Sequence, residues 1–237
     1  MLNLRPFYTA IKISGPESSN FLQGQLTCDI TKLDPVKVTP SAHCNRKGRM
    51  VSLFLLCKHK ADFYLIIPSA IAESALAELN KYVLRSKVNL AIDNELTITG
   101  YLDIQPEPQD LIFTVPGKRW LALGQGQAEA DNNDINAWLE RDIDNYMPWL
   151  TPETVGKFIP NEIKLDQHGG LSFDKGCYTG QEIIARLHYL GKSKKQLSQV
   201  NIKLSDETTV PGDIICSMEI SNVYYGLAVL NIQLPKS

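Results

Sequence analysis

The chain has 237 residues, 43% of them hydrophobic and 21% charged, with 24 Lys and Arg against 26 Asp and Glu for a formal net charge of -2. That length exceeds the usual single-domain size of roughly 100 to 150 residues and buries enough surface to fold without disulfides or a metal clip, which excludes disorder, collagen-like repeats and small cross-linked scaffolds. A near-neutral balance gives no whole-molecule attraction to a polyanion or an acidic membrane, so direct nucleic-acid binding is disfavoured.

The elements follow in chain order. Ile11 and Ile13 alternate within a strand at 7–14, and Gly15-Pro16-Glu17 turns the chain into a helix carrying Phe21, Leu22, Gln25 and Leu26. Strands are predicted at 51–57 and 63–67. A helix follows with Ser69 as N-cap and Ile71, Ala75, Leu76, Leu79 and Val83 as its apolar stripe. Further strands are predicted at 87–92, 95–101 and 111–115, and a helix at 131–140 with Ile135, Trp138 and Leu139 turned inward. Prolines and glycines between Met147 and Gly170 predict a folded loop without regular structure. A helix is expected from about Tyr178 to Leu190, then short strands at 199–204, 214–218 and 223–232.

Arg5 and Pro6 stand where a signal peptide needs its apolar core, and the most apolar stretch, Met50 to Cys57, is far shorter than the roughly 20 residues that cross a bilayer. The five scattered cysteines are odd in number and read as reduced thiols. A cytoplasmic protein without a membrane partner is expected. No CxxC pair occurs, and no metal site is expected.

The richest segment for chemistry runs from Gly169 to Glu182, GGLSFDKGCYTGQE. Its glycines allow close backbone approach to a ligand, and it leads into a helix. Lys175 and the helix dipole favour a Cys177 thiolate, whereas Asp174 and Glu182 oppose it. A reactive thiol and a small cysteine packed in a glycine-rich connector both fit. A dyad of Cys177 with His188 fails if one helix carries both, since eleven residues at about 1.5 Å each separate them by roughly 16 Å.

The run Lys175-Gly176-Cys177-Tyr178-Thr179-Gly180-Gln181-Glu182 resembles the signature of the YgfZ family, folate-binding relatives of the glycine-cleavage T-protein. Supporting matches are Phe21 to Thr27 with Asp29, Asn45 to Met50, Lys81 to Val88 and Phe158-Ile159-Pro160, so the likeness spans roughly residues 7 to 197. The resemblance implies an α+β fold: a T-protein-like body of two ferredoxin-like modules with mostly antiparallel sheets over 1–192, and a small C-terminal β-barrel-like domain over 193–237. It implies tetrahydrofolate or a one-carbon derivative as cofactor, with Tyr8, Trp138, Gln25, Gly176, Tyr178, Gly180 and Gln181 around it. Cys177 and Lys175 are the implied catalytic pair. The implied role is an accessory factor for iron-sulfur enzyme assembly or repair, its partners including tRNA-thiolating radical enzymes. The alternative is an aminomethyltransferase or folate-dependent demethylase. Against it, Ser52-Leu53 stand where the transferase branch carries paired acids.

Overall fold

The computed structural model describes residues 1–107, 111–125, 135–191, 193–203, 213–220 and 223–231. A short strand β1 (Leu2–Asn3) precedes β2 (Tyr8–Ser14), whose Ala10, Ile11 and Ile13 are fully buried. The turn at Gly15 leads into α1 (Ser18–Gln25), as the sequence predicts. Next come β3 (Thr39–Cys44), β4 (Met50–His59) and β5 (Asp62–Pro68), then α2 (Ser69–Asn80) and β6 (Asn89–Asp93). These strands form one antiparallel sheet in the order β3-β4-β5-β2-β6.

β3 has no apolar alternation to announce it. Its Pro40 is tolerated because the strand lies at the sheet edge, where one row of amides has no ladder partner. The expected Ser69 cap is displaced: Pro68 is the N-cap of α2, and the Ser69 hydroxyl lies 2.8 Å from that of Thr9. α2 buries Ile71, Ala75 and Leu79 against β2, β4 and β5.

A second antiparallel sheet, in the order β1-β7-β9-β8, joins β1 to β7 (Leu96–Leu102), β8 (Leu111–Val115) and β9 (Arg119–Gln125). The predicted helix at 131–140 is displaced to α3 (Asn136–Asp144); positions 131–134 lie outside the described residues. The proline-rich segment after it holds two 3-10 turns, Pro160–Ile163 and Leu165–His168. α4 covers Gln181–Leu190.

The tail supplies β10 (Lys195–Lys203), β11 (Asp213–Ile220) and β12 (Val223–Asn231), an antiparallel sheet in the order β10-β12-β11. It docks on α3, where the Gln199 amide donates to the Ile143 carbonyl at 3.0 Å. Residues 204–212 and 221–222, between these strands, lie outside the described residues. The fold is thus α+β with antiparallel sheets, as predicted. No helix among the described residues is long and apolar enough to cross a membrane.

Candidate functional site

The residues singled out by sequence fall into two clusters. The first is the glycine-rich elbow ahead of α4. The helix starts at Gln181, three residues later than expected, because Gly180 takes a left-handed φ of 84° as its N-cap. A Cβ on Gly180 would lie 2.5 Å from the Asn45 carbonyl oxygen, so only glycine lets the elbow close onto the 45–49 turn. Cys177 therefore precedes the helix, and a continuous helical rise does not measure its separation from His188. The His188 ring instead stacks on Phe173 with centroids 3.9 Å apart.

Lys175 is buried, and its ammonium donates to the carbonyls of Leu26 at 2.8 Å and Cys28 at 2.7 Å. Burial lowers its pKa to about 8, against the opposing pull of Cys28 and Asp29. The ammonium thus ties the elbow to the chain leaving α1. Thr27 ties the same two segments together, its hydroxyl donating to the Gly170 carbonyl at 2.6 Å and its carbonyl accepting from the Ser172 amide at 2.9 Å. The Gln25 side-chain oxygen accepts from the Thr179 hydroxyl at 3.2 Å, and that of Gln181 from the Tyr178 amide at 3.3 Å. Asp29 is held down to about 2, first by the Thr31 hydroxyl.

Cys177 is exposed, like Gly176 beside it. It sits in a surface groove together with Gly24, Arg46, Thr179, Gln181 and Glu182. Tyr178 points its ring inward: the phenol is buried with no hydrogen-bond partner among the described residues, its pKa raised by burial. The elbow accordingly gathers Gln25, Lys175, Gly176, Cys177, Tyr178, Gly180 and Gln181.

The second cluster holds Tyr8 and Trp138. Trp138 is buried with the Arg119 guanidinium 4.6 Å from its ring centre, and a Cβ on Gly100 would fall 2.8 Å from the ring. Arg119 is buried as well, donating to the Asp142 carboxylate at 2.7 Å and to the Trp138 carbonyl at 3.1 Å. The other Asp142 oxygen accepts from the Trp149 indole at 2.8 Å. Burial raises the Asp142 pKa, while Arg119, Trp149 and the Tyr8 hydroxyl favour its charged form. The Tyr8 ring lies 4.8 Å from that of Trp149. Arg119, Asp142 and Trp149 went unnoticed in the sequence, since nothing in residue spacing links positions so far apart.

Between the five-stranded sheet and the 146–168 segment lies a small apolar cavity of about 20 Å³, room for a single water. Pro40 and Leu55, paired across β3 and β4, share its lining with Leu53, Met147, Leu165 and Trp149. The lining includes neither Tyr8 nor Trp138. His168 lines both this cavity and an outer groove that contains Asp29, Lys32, Lys37 and Asp174. Burial lowers the His168 pKa, opposed by a hydrogen bond to the Tyr146 backbone. On the other face of the sheet, Ser52 is buried opposite His43.

Sequence comparison places these clusters in context. The chain is 33% identical over 227 residues to the tRNA-modifying protein YgfZ of Colwellia psychrerythraea, covering 83% of this chain and 70% of that protein. The chain belongs to the YgfZ family. The YgfZ protein of Vibrio atlanticus is 30% identical over 249 residues, covering 95% of this chain and 77% of the relative, and that of Sodalis glossinidius is 28% identical over 272 residues, covering 94% and 83%. No protein-family model matches the sequence. Among solved structures, the crystal structure of the glycine cleavage system aminomethyltransferase T from Bartonella henselae superposes with a TM-score of 0.66 at 13% identity, covering 94% of this chain and 76% of that one. That likeness shows the fold of the T-protein body in this YgfZ chain.

Proposed function

We propose that this YgfZ protein binds tetrahydrofolate or a one-carbon derivative, and that it serves iron-sulfur enzymes, including those that thiolate tRNA, as an accessory factor in their assembly or repair. The observation that carries the reading is the elbow built by the signature residues Lys175 to Glu182: Lys175 and Thr27 stitch it to the chain leaving α1, while Cys177 stays exposed in a groove with Arg46, Gln181 and Glu182. When bound, the folate would supply a carrier for one-carbon units.

The chain's own residues would do the following. Lys175 and Thr27 hold the elbow rigid against α1, so that Cys177 is presented at the surface groove beside Arg46. Gln25 and Gln181 orient the elbow backbone through Thr179 and Tyr178. Tyr8 and Trp138 flank the wall of the cavity through Asp142 and Arg119. The occurrence of YgfZ relatives named for tRNA modification supports a client in that chemistry. Ser52 gives the chain no acid at the position where the transferase branch has one, which favours the accessory role over aminomethyl transfer.

Two measurements test the proposal. Calorimetric titration with tetrahydrofolate is expected to show saturable one-to-one binding, and its absence defeats the folate reading. Cys177→Ser is expected to abolish complementation of a strain lacking its YgfZ protein, while folate affinity stays within about twofold of wild type. Full complementation by that variant removes Cys177 from the mechanism.

A further inference from the structure

α4 carries more apolar surface than the fold uses. Only Ile184 of its ten residues is buried, whereas Ile183, Tyr189 and Leu190 are exposed, Leu190 at 83%. Ile183, Leu187 and Leu190 follow at i, i+4 and i+7, so they share one face of the helix as a stripe about 10 Å long. With Ile159 they line a surface groove of about 410 Å³, and Arg186 is the charged side chain in that lining. Cations stand at both ends of the stripe. At its start the 45–49 turn, with Lys47 and Arg49 exposed, abuts the helix: a Cβ on Gly48 would lie 3.1 Å from the Ile183 Cβ. The Arg49 guanidinium donates to the Lys157 carbonyl, two residues before Ile159. At the far end Lys194 is exposed just beyond Gly191, and the Lys195 ammonium lies 5.8 Å from the ring of Phe158, next to Ile159. The acids nearby are already engaged. Asp213 is shared by Lys157 at 3.5 Å and Lys195 at 3.7 Å, Glu162 accepts from the Ile159 amide, and Glu182 lines the Cys177 groove instead.

We propose that this groove is the docking site for an acidic amphipathic helix of a partner protein. Apolar residues of that helix, spaced i, i+4 and i+7, lie against Ile183, Leu187 and Leu190, and its Asp and Glu side chains meet Arg186 and the cations at either end. Under the accessory-factor reading, on which this site rests, the helix belongs to a client. Charge selects this occupant over a second copy of the chain, which would set like cations against one another. Shape selects it over a lipid surface: the apolar side chains line a recess between α4 and Ile159, which takes the ridge of a helix, whereas a bilayer takes up a protruding apolar face. The elbow runs straight into α4, so a partner held along the stripe lies beside the exposed Cys177 thiol.

The test uses the full chain and two labelled helical peptides of about 18 residues. Both carry the same leucine stripe at i, i+4 and i+7, one with Glu and the other with Lys at the remaining outer positions. Fluorescence anisotropy is expected to show saturable binding of the acidic peptide and none of the basic one. Leu190→Glu, a change at an exposed position that leaves folding intact, is expected to weaken the acidic peptide at least 10-fold. Arg186→Glu is expected to weaken it roughly 3- to 10-fold at low salt, with the difference shrinking as salt is raised. In cells, a photo-crosslinking residue in place of Leu190 is expected to join an Asp- and Glu-rich segment of another protein, and Leu190→Glu is expected to lose complementation while its tetrahydrofolate titration matches wild type. Equal binding of the two peptides, binding of neither, a crosslink to lipid or to a second copy, or full complementation by Leu190→Glu overturns the docking site alone. Failure of the wild-type chain to complement a strain lacking its YgfZ protein overturns the accessory-factor reading and the docking site together.

Discussion

Among the described residues two cations, Arg119 and Lys175, are buried, and their surroundings differ. Arg119, behind the cavity wall, has a carboxylate partner in Asp142, a carbonyl partner in Trp138 and the Trp138 ring below it. Lys175, in the elbow, has the carbonyls of Leu26 and Cys28 and the ring of Tyr178 at 5.1 Å. A carboxylate compensates a desolvated cation with a full opposite charge, whereas carbonyl dipoles do so only in part. Lys175 accordingly drops to about 8. The inner pair is a charge-neutral brace for Trp138 and Trp149; the elbow is a cationic stitch between two chain segments.

Removing partners should break these two regions unequally. Asp142→Ala strands a buried guanidinium and leaves the Trp149 indole without its acceptor. It is expected to cost about 3–5 kcal/mol in urea unfolding. Adding Arg119→Met to it is expected to recover part of that loss, because no buried charge then lacks a partner. A single-variant loss below about 1 kcal/mol would contradict the brace.

Lys175→Met leaves two carbonyls unmet but also removes the burial of a charge, so the expected loss near neutral pH is smaller, about 2–3 kcal/mol. The sign of its pH dependence follows from a folded pKa of about 8, below the ordinary lysine value of 10.5. The unfolded chain binds more protons between those values, so the Lys175 contribution rises with pH across that window. The stability gap between wild type and Lys175→Met should therefore widen from pH 8 to pH 10, and a constant gap would sink the stitch as described.

The smallest effect lies on the far face of the five-stranded sheet. His43 is buried, its two ring nitrogens have no hydrogen-bond partner among the described residues, and burial lowers its pKa from 6.5 to about 4. The unfolded state binds the extra proton between these values, so stability is full above pH 6.5 and falls as the pH drops toward 4. At pH 4.5 the loss from this group is roughly 2 kcal/mol. Guanidinium melts at pH 7 and 4.5 should show that loss in wild type and a reduced one in His43→Phe. Equal losses would place the acid sensitivity elsewhere.

Much of the fold was legible in residue order. The alternation in Tyr8–Ser14 and the apolar stripe of α2 specify a strand and a helix because each pattern can bury only one face. β3 was not legible, since Ser41 and His43 are polar residues whose burial depends on what packs over them. The elbow is legible as a unit because all its residues but Gln25 lie together in the signature, whereas α4 starts three residues beyond the predicted position. The left-handed turn at Gly180 that delays it is required by the approach of Asn45, a tertiary contact.

What the amino-acid order settles without help is the pattern of short-range choices: which stretches extend, which coil, and that Lys175 to Glu182 forms one local motif of the YgfZ kind. Only the folded chain decides that Lys175 spends its charge on Leu26 and Cys28, that Tyr8 packs against Trp149, and that Arg119 meets Asp142. The reason is physical. Local pattern acts through backbone sterics and the burial of one face, within a few residues, whereas the partner of a buried charge or ring is whatever distant segment the packing of the sheets brings alongside it.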